Sequence, residues 1–255
     1  MANWNPDQYL KFSGERAQPA EDLLCRLDAL QPGRVLDLGC GPGNSTSALK
    51  RHFPGADILG VDASEEMLQK AKKDHPELRF QECFLPQGLD DLVGSYDLIF
   101  SNACIHWIPE QEALLKAIFG KLSIGGTLAV QIPYIQAAPF YKLLYALVDE
   151  SWPQLQSVHN FYNLQPEDYY DVLSSLTNSF LIWQTTYFHV VSAPEGVIDW
   201  YKGSGLRPYL EKLSAEEQER FLAQLLSVIK ENYSVQKNGT VILKMPRVFF
   251  TATKE

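Results

Sequence analysis

The sequence predicts an α/β fold with a mostly parallel sheet. Two observations carry that expectation: short β-branched or apolar runs alternate with helical patterns through the first half, and one run feeds a glycine-rich turn at a helix start. Buried strands are read at Arg34 to Leu38, Asp57 to Asp62, Tyr96 to Asn102 and Thr127 to Ile132, with a weaker one at Leu78 to Glu82. Helical spacing falls between them, at Ser45 to Phe53, Ser64 to Asp74 and Gln111 to Leu122. After Pro133 the rhythm breaks. Phe140 to Trp152 is helical, and an aromatic and Asn-rich stretch through His159, Phe161 and Tyr162 reads as an inserted cap. Strand pattern returns at Leu181 to Val191 and Thr240 to Ala252, two runs able to pair; Pro246, which cannot donate to a ladder, points to an edge position or a bulge. Between them Ser214 and Glu217 form a capping box. Phe221, Leu225, Val228 or Ile229, and Tyr233 follow at helical spacing as a core stripe.

Composition bounds the function. A chain of 255 residues with 45% hydrophobic and 21% charged residues is an ordinary globular protein near the upper size for one core. A net charge of −9 argues against a nucleic-acid substrate, which needs a basic face. Cys25, Cys40, Cys83 and Cys104 are dispersed and form no CxxC pair, so neither a metal site nor a disulfide framework is expected, and a reducing compartment fits. Met1 to Leu10 lacks the pattern of a secretory signal, and no apolar window reaches membrane-spanning length. The expectation is a cytoplasmic protein with neither a membrane nor a nucleic acid as partner.

The segment from Val35 to Thr46, VLDLGCGPGNST, is an apolar strand running through Gly39, Gly41 and Gly43 to a helix start at Asn44. Glycine is needed because a tight strand-to-helix turn demands unusual backbone angles, and a ligand lying on the main chain leaves no room for a Cβ. Asp62 ends the next strand, where a carboxylate can accept hydrogen bonds from both hydroxyls of a ribose. Charge distinguishes the nucleoside. A dinucleotide would set its pyrophosphate on the loop, where Asp37 would repel it. S-adenosylmethionine has no phosphate and carries a sulfonium and an ammonium, which an acidic residue favours. The spacing is GxGxG, and no GxxxxGK[ST] phosphate loop occurs.

The glycine loop, the Gly60-Val61-Asp62 strand end and the Asp97-Leu98-Ile99-Phe100-Ser101-Asn102 strand resemble class I S-adenosylmethionine-dependent methyltransferases. That resemblance implies a Rossmann-like sheet of seven strands, the last antiparallel, with helices on both faces. It also implies that Gly39 and Gly41 line the methionine part of the cofactor, that Asp62 holds the ribose, that Ala63 or Met67 borders the adenine, and that Asn102 faces the methionine moiety. Many members place an Asp after the third strand to meet the adenine amino group; here Cys83 and Phe84 stand there, leaving stacking and backbone groups for that role. The division expected is an N-terminal helical lid over 1–30, an S-adenosylmethionine-binding core over 31–135, and a cap insertion with sheet-completing strands over 136–255.

A narrower resemblance covers essentially the whole chain. Asn3-Trp4-Asn5-Pro6 with Tyr9, Phe12, Glu15 and Arg16 is similar to the opening of the trans-aconitate 2-methyltransferase family. So are Ser101-Asn102-Ala103 with Trp107, the run from Trp183 to His189, Ile198-Asp199-Trp200 with Gly205-Leu206-Arg207-Pro208, Asn238-Gly239 and Pro246-Arg247. The family esterifies one carboxylate of a small tricarboxylic acid, so the resemblance implies a small carboxylic acid acceptor. Such an oxygen is already ionised about a thousandfold at pH 7, so no general base and no metal is called for, and alignment is the main demand. Site residues are then positioners. Arg16, on a segment able to fold over the cofactor, and Arg207 are the expected cations, Arg16 serving either the acceptor or the cofactor's own carboxylate; His106 and Trp107 follow the fourth strand, where α/β sheets place ligands, and Tyr9 is a further donor. Two alternatives stay open: a different acceptor, including a malonyl thioester on a carrier protein, or binding of the cofactor without catalysis.

Overall fold

A computed structural model describes residues 13–158 and 161–255, with side chains from Ala17 onward. Helix α1 (Ser13–Leu24) precedes strand β1 (Arg34–Leu38), α2 (Asn44–His52), β2 (Asp57–Asp62), α3 (Glu65–Asp74), β3 (Arg79–Glu82) and β4 (Tyr96–Asn102). Then come α4 (Gln111–Gly120), β5 (Leu122–Pro133), α5 (Pro139–Ser151), α6 (Pro166–Leu176) and β6 (Phe180–Val191). The chain closes with α7 (Pro194–Lys202), the short α8 (Arg207–Leu210), α9 (Ala215–Asn232) and β7 (Val241–Thr253).

The strands form one seven-stranded sheet in the order β3-β2-β1-β4-β5-β7-β6. β1 pairs in parallel with β2 and with β4, β2 with β3, and β4 with β5; β7 runs antiparallel to β5. That is the expected mixed α/β sheet. The apolar runs become strands because their side chains are enclosed by neighbours: Val35, Leu36 and Leu38 in β1, Leu98 to Phe100 in β4 and Leu128 to Val130 in β5 are all fully buried. Strand order reverses at β1. The chain first builds β2 and β3 on one side, then crosses to place β4 on the other, so the carboxyl ends of β1 and β4 flank a crevice of the kind in which such sheets hold ligands.

The residues fall into two compact units, one of Ala17–Pro133, Phe161–Thr185 and Arg247–Glu255, the other including Tyr134–Asn160 and Thr186–Pro246. In the first, Tyr169 of α6 lies against Phe250 of β7, ring centroids 5.4 Å apart, and its hydroxyl donates to Gln111 Oε1 at 3.0 Å. In the second, Phe140 stacks on Tyr201, and Trp152 meets Phe221 edge-on while its indole N–H donates to Gln224 Oε1 at 2.7 Å. The capping box is formed as expected: Ser214 Oγ accepts from the Glu217 N–H and Glu217 Oε2 from the Ser214 N–H. On α9 the buried stripe is Phe221, Leu225 and Ile229, which resolves the choice between Val228 and Ile229.

Three expectations are corrected. Pro246 is not on an edge, because β7 lies between β5 and β6. It stands one residue past the last β5–β7 pair, Pro133 with Arg247, where its carbonyl accepts the Tyr134 N–H and its missing donor falls at the end of that ladder. β5 begins at Leu122, not Thr127, with the shift of register between Tyr96 and Leu98 absorbing the Gly125-Gly126 pair. Arg207, read as part of a turn, opens the four-residue helix α8. Helices α6 and α7 were not foreseen; each starts at a proline in the first turn, a position that suits proline's fixed φ.

Candidate functional site

The loop after β1 is built from backbone geometry that side chains would obstruct. Gly39 sits at φ 71°, its N–H and that of Cys40 both donating to the Val61 carbonyl of β2, at 2.8 and 3.0 Å. A Cβ on Gly39 would overlap the Cβ and Sγ of Cys104, so the β4 end packs directly on the loop main chain. Gly41, at φ 52°, donates its N–H to Asp62 Oδ2 at 2.9 Å, and a Cβ there would meet no atom of the described residues within 4 Å. Among the described residues the loop therefore has one side closed by Cys104 and one open side, bordered by the Asp62 carboxylate. Gly43 is the N-cap of α2, just before the exposed Asn44.

Asp62 Oδ1 accepts the Ser64 N–H at 2.9 Å, so two backbone donors fix the carboxylate while each oxygen keeps a lone pair for a ligand. Ala63 beside it is exposed, and half-buried Met67 donates its N–H to the Ser64 N-cap of α3. Cys83, after β3, is buried and donates its N–H to the Asp62 carbonyl; Phe84 is 58% exposed. Gly39, Gly41, Asp62, Ala63, Met67, Cys83 and Phe84 thus border the carboxyl ends of three adjacent strands, β1, β2 and β3.

Asp37 has no exposed surface. Its Oδ2 accepts hydroxyls from Ser45 and Thr46, both at 2.7 Å, while Oδ1 is buried without a partner. Burial raises its pKa to about 6 against the pull of those hydroxyls. Across the crevice, Asn102 at the end of β4 has its Oδ1 buried and unpartnered too. Two orphaned acceptors, the Asp62 lone pairs and the open face of Gly41 fit a ligand that brings cations and hydroxyls; a pyrophosphate would meet carboxylates there. Among the described residues no group of three or more His, Cys, Asp or Glu is arranged to hold a metal, and no helix is long and apolar enough to cross a membrane. All four cysteines are free, and burial pushes the Cys104 thiol up to about 12.

Residues 35–126 match the family model described as a methyltransferase domain. A trans-aconitate 2-methyltransferase from Enterobacter sp. (strain 638) is 38% identical to this chain over 261 residues, covering 100% of both. The chain belongs to the trans-aconitate 2-methyltransferase family. Solved structures agree on the fold of this family member: the YcgJ protein of Bacillus subtilis superposes with a TM-score of 0.62 at 16% identity, covering 93% of this chain and 98% of that one. A Haemonchus contortus phosphoethanolamine N-methyltransferase 2, solved with S-adenosyl-L-methionine, gives a TM-score of 0.55 at 17% identity, covering 93% of this chain and 53% of that one.

The residues expected to meet the acceptor fall in both compact units of this family member, or outside the described residues. His106 is buried, stacked on Phe161 at 5.6 Å, and its backbone carbonyl accepts the Tyr162 N–H. Burial, with the charge of Arg247, lowers its pKa to about 3, so it is a neutral imidazole at physiological pH. Trp107, 42% exposed, lies against both His106 and Phe161. Arg207 belongs to the other unit, where its Nε donates to Glu211 Oε1 at 2.7 Å. Tyr9 and the side chain of Arg16 lie outside the described residues. Sequence reasoning passed over two features: the Ser45 and Thr46 hydroxyls that hold Asp37, and Gln131, a buried amide near the end of β5. A lone glutamine inside the apolar run Leu128 to Ile132 was the available signal for the second.

Proposed function

We propose that the chain methylates one carboxylate of a small polycarboxylic acid such as trans-aconitate, using S-adenosylmethionine, in the cytoplasm. The observation that carries the cofactor assignment is the loop itself: Gly41 is tied to Asp62 yet open on its other side, with the unpartnered Asp37 Oδ1 and Asn102 Oδ1 nearby in the strand order. Full-length similarity to relatives bearing the trans-aconitate name supports the acceptor class.

When bound, the cofactor would supply a methyl group made electrophilic by a positive sulfur, which would leave with the electrons of the methyl–sulfur bond as the carboxylate oxygen is methylated. The protein's part is placement. Asp62 would hold the ribose hydroxyls, Gly39, Gly41 and Gly43 with Asn44 would give close backbone approach, and Asp37 and Asn102 would face the methionine end. Ala63, Met67, Cys83 and Phe84 would border the adenine. His106, neutral and buried, would serve with Trp107 as a wall and not as a proton carrier. Tyr9, Arg16 and Arg207 complete the proposed acceptor set. Holding two reactants in line saves roughly 7–11 kcal/mol of barrier, enough to make positioning the main contribution. Purified protein incubated with labelled S-adenosylmethionine and a panel of di- and tricarboxylic acids should yield a base-labile methyl ester. No ester on any acid would end the carboxyl-methylation assignment.

A further inference from the structure

Beyond the cofactor loop, a second group of buried polar atoms lies at the carboxyl ends of β4 and β5, and the fold makes no use of it. His106 Nδ1 and Gln131 Nε2 are buried without a hydrogen-bond partner, next to the Asn102 Oδ1 already placed at the methionine end of the cofactor. Native proteins rarely leave such groups unmet, and a set of them marks a place where something else supplies the partner. Gln131 is 1% exposed and its donor has no other outlet.

The register gathers these side chains. Asn102 of β4 stands opposite Gln131 of β5, and along β7 Phe249 faces Gln131 while Arg247 faces Pro133. Because side chains alternate, Asn102, Gln131 and Arg247 share one face of the sheet. His106 joins them from the β4–α4 connection, near enough for the Arg247 charge to disfavour its protonated form. The backbone is pinned here as well: the Ala103 N–H donates to the Gln131 carbonyl at 2.9 Å, with Ala103 held at φ 51°, a conformation that costs a non-glycine residue and recurs at functional sites. The strand order separates two chemistries. Acceptor carboxylates, Asp37 and Asp62, lie on β1 and β2, whereas the carboxyl end of β4, with β5 and the β7 residue that follows Pro246, brings an amide donor, an imidazole and a guanidinium.

We propose that Gln131 and Arg247, with His106 beside them, form the subsite that recognises a non-reacting carboxylate of the acid. The proposal rests on the reading of the acceptor as a polycarboxylic acid, and it makes Gln131 and Arg247 determinants of acceptor specificity. A carboxylate with four lone-pair sites would satisfy the Gln131 amide and still accept from a guanidinium, while an uncharged acceptor would bring no charge for that guanidinium.

Full-length protein loaded with S-adenosylhomocysteine is titrated with trans-aconitate by calorimetry, alongside steady-state kinetics, for wild type, Gln131→Met, Gln131→Glu and Arg247→Lys. The expected result is a rise of about tenfold or more in both Kd and KM for the acid in Gln131→Met and Arg247→Lys, a larger one in Gln131→Glu, and an S-adenosylhomocysteine affinity unchanged within about twofold. Folding is checked by thermal melting; should Gln131→Met not fold, the two charge-bearing variants decide. Folded variants that bind the acid as wild type does, or that lose cofactor and acid affinity together, overturn the subsite. Wild-type protein that neither binds nor methylates any acid is a different outcome, which removes the acceptor reading and the subsite with it.

Discussion

Burial leaves Asp37 half-protonated near pH 6, with one oxygen occupied by the Ser45 and Thr46 hydroxyls and the other without a partner. A ligand ammonium is favoured only by the ionised form, so cofactor affinity should fall as pH drops through 6. With a pKa of about 6 the ionised fraction falls roughly tenfold per pH unit below that value, and S-adenosylhomocysteine should bind about tenfold more weakly at pH 5 than at pH 7. Calorimetry at both pH values tests this, and Asp37→Asn should flatten the dependence. Equal slopes in wild type and Asp37→Asn would remove Asp37 from the cofactor site. His106 adds no step of its own in this window, since burial keeps it neutral down to about pH 3.

Within the β1–α2 loop the glycines separate stability from binding. Gly41→Ala forces a side chain into a left-handed backbone, at a cost of roughly 1–2 kcal/mol, but meets no atom of the described residues. It should fold, melt a few degrees lower and lose at least tenfold in cofactor affinity, because its Cβ occupies the open side. Gly39→Ala adds an overlap with Cys104 and should be the more destabilised of the two. A Gly41→Ala protein that titrates like wild type would mean that no ligand approaches there. These elements were legible in the sequence because their signals are local: apolar runs fix β1, β2 and β4 to the residue, and glycine spacing with Asp62 at the next strand end marks the loop. What escaped was set by distant partners. Gln131 reads as an ordinary strand residue until Asn102 is placed beside it and Arg247 two positions along. Pro246 reads as an edge marker because nothing nearby shows where the β5 ladder stops. Helix α6, short and half apolar, is held by Tyr169 against Gln111 and Phe250, residues far away in the chain.

At the level of the whole molecule, that same Tyr169 joins three remote segments of one compact unit. Tyr169→Phe removes a single hydroxyl, leaving the buried Gln111 Oε1 unmet, and should cost about 1–3 kcal/mol, seen as a Tm lower by several degrees. Cofactor affinity should not change, since β4 and β5 separate β7, against which Tyr169 packs, from β1; a loss of binding would show that the two regions are coupled. Strand order has a further consequence, for biosynthesis. β6 borders the sheet only through β7, which is translated after it, so about 60 residues, or on the order of several seconds of elongation, separate completion of one from completion of the other. Through that interval a nascent β6, with Leu181, Phe188 and Val190 exposed even in the finished protein, has no neighbour in the sheet. The last gap in the sheet is filled only when residues 241–253 leave the ribosome, and a stalled or shortened product would present an unpaired strand to other chains.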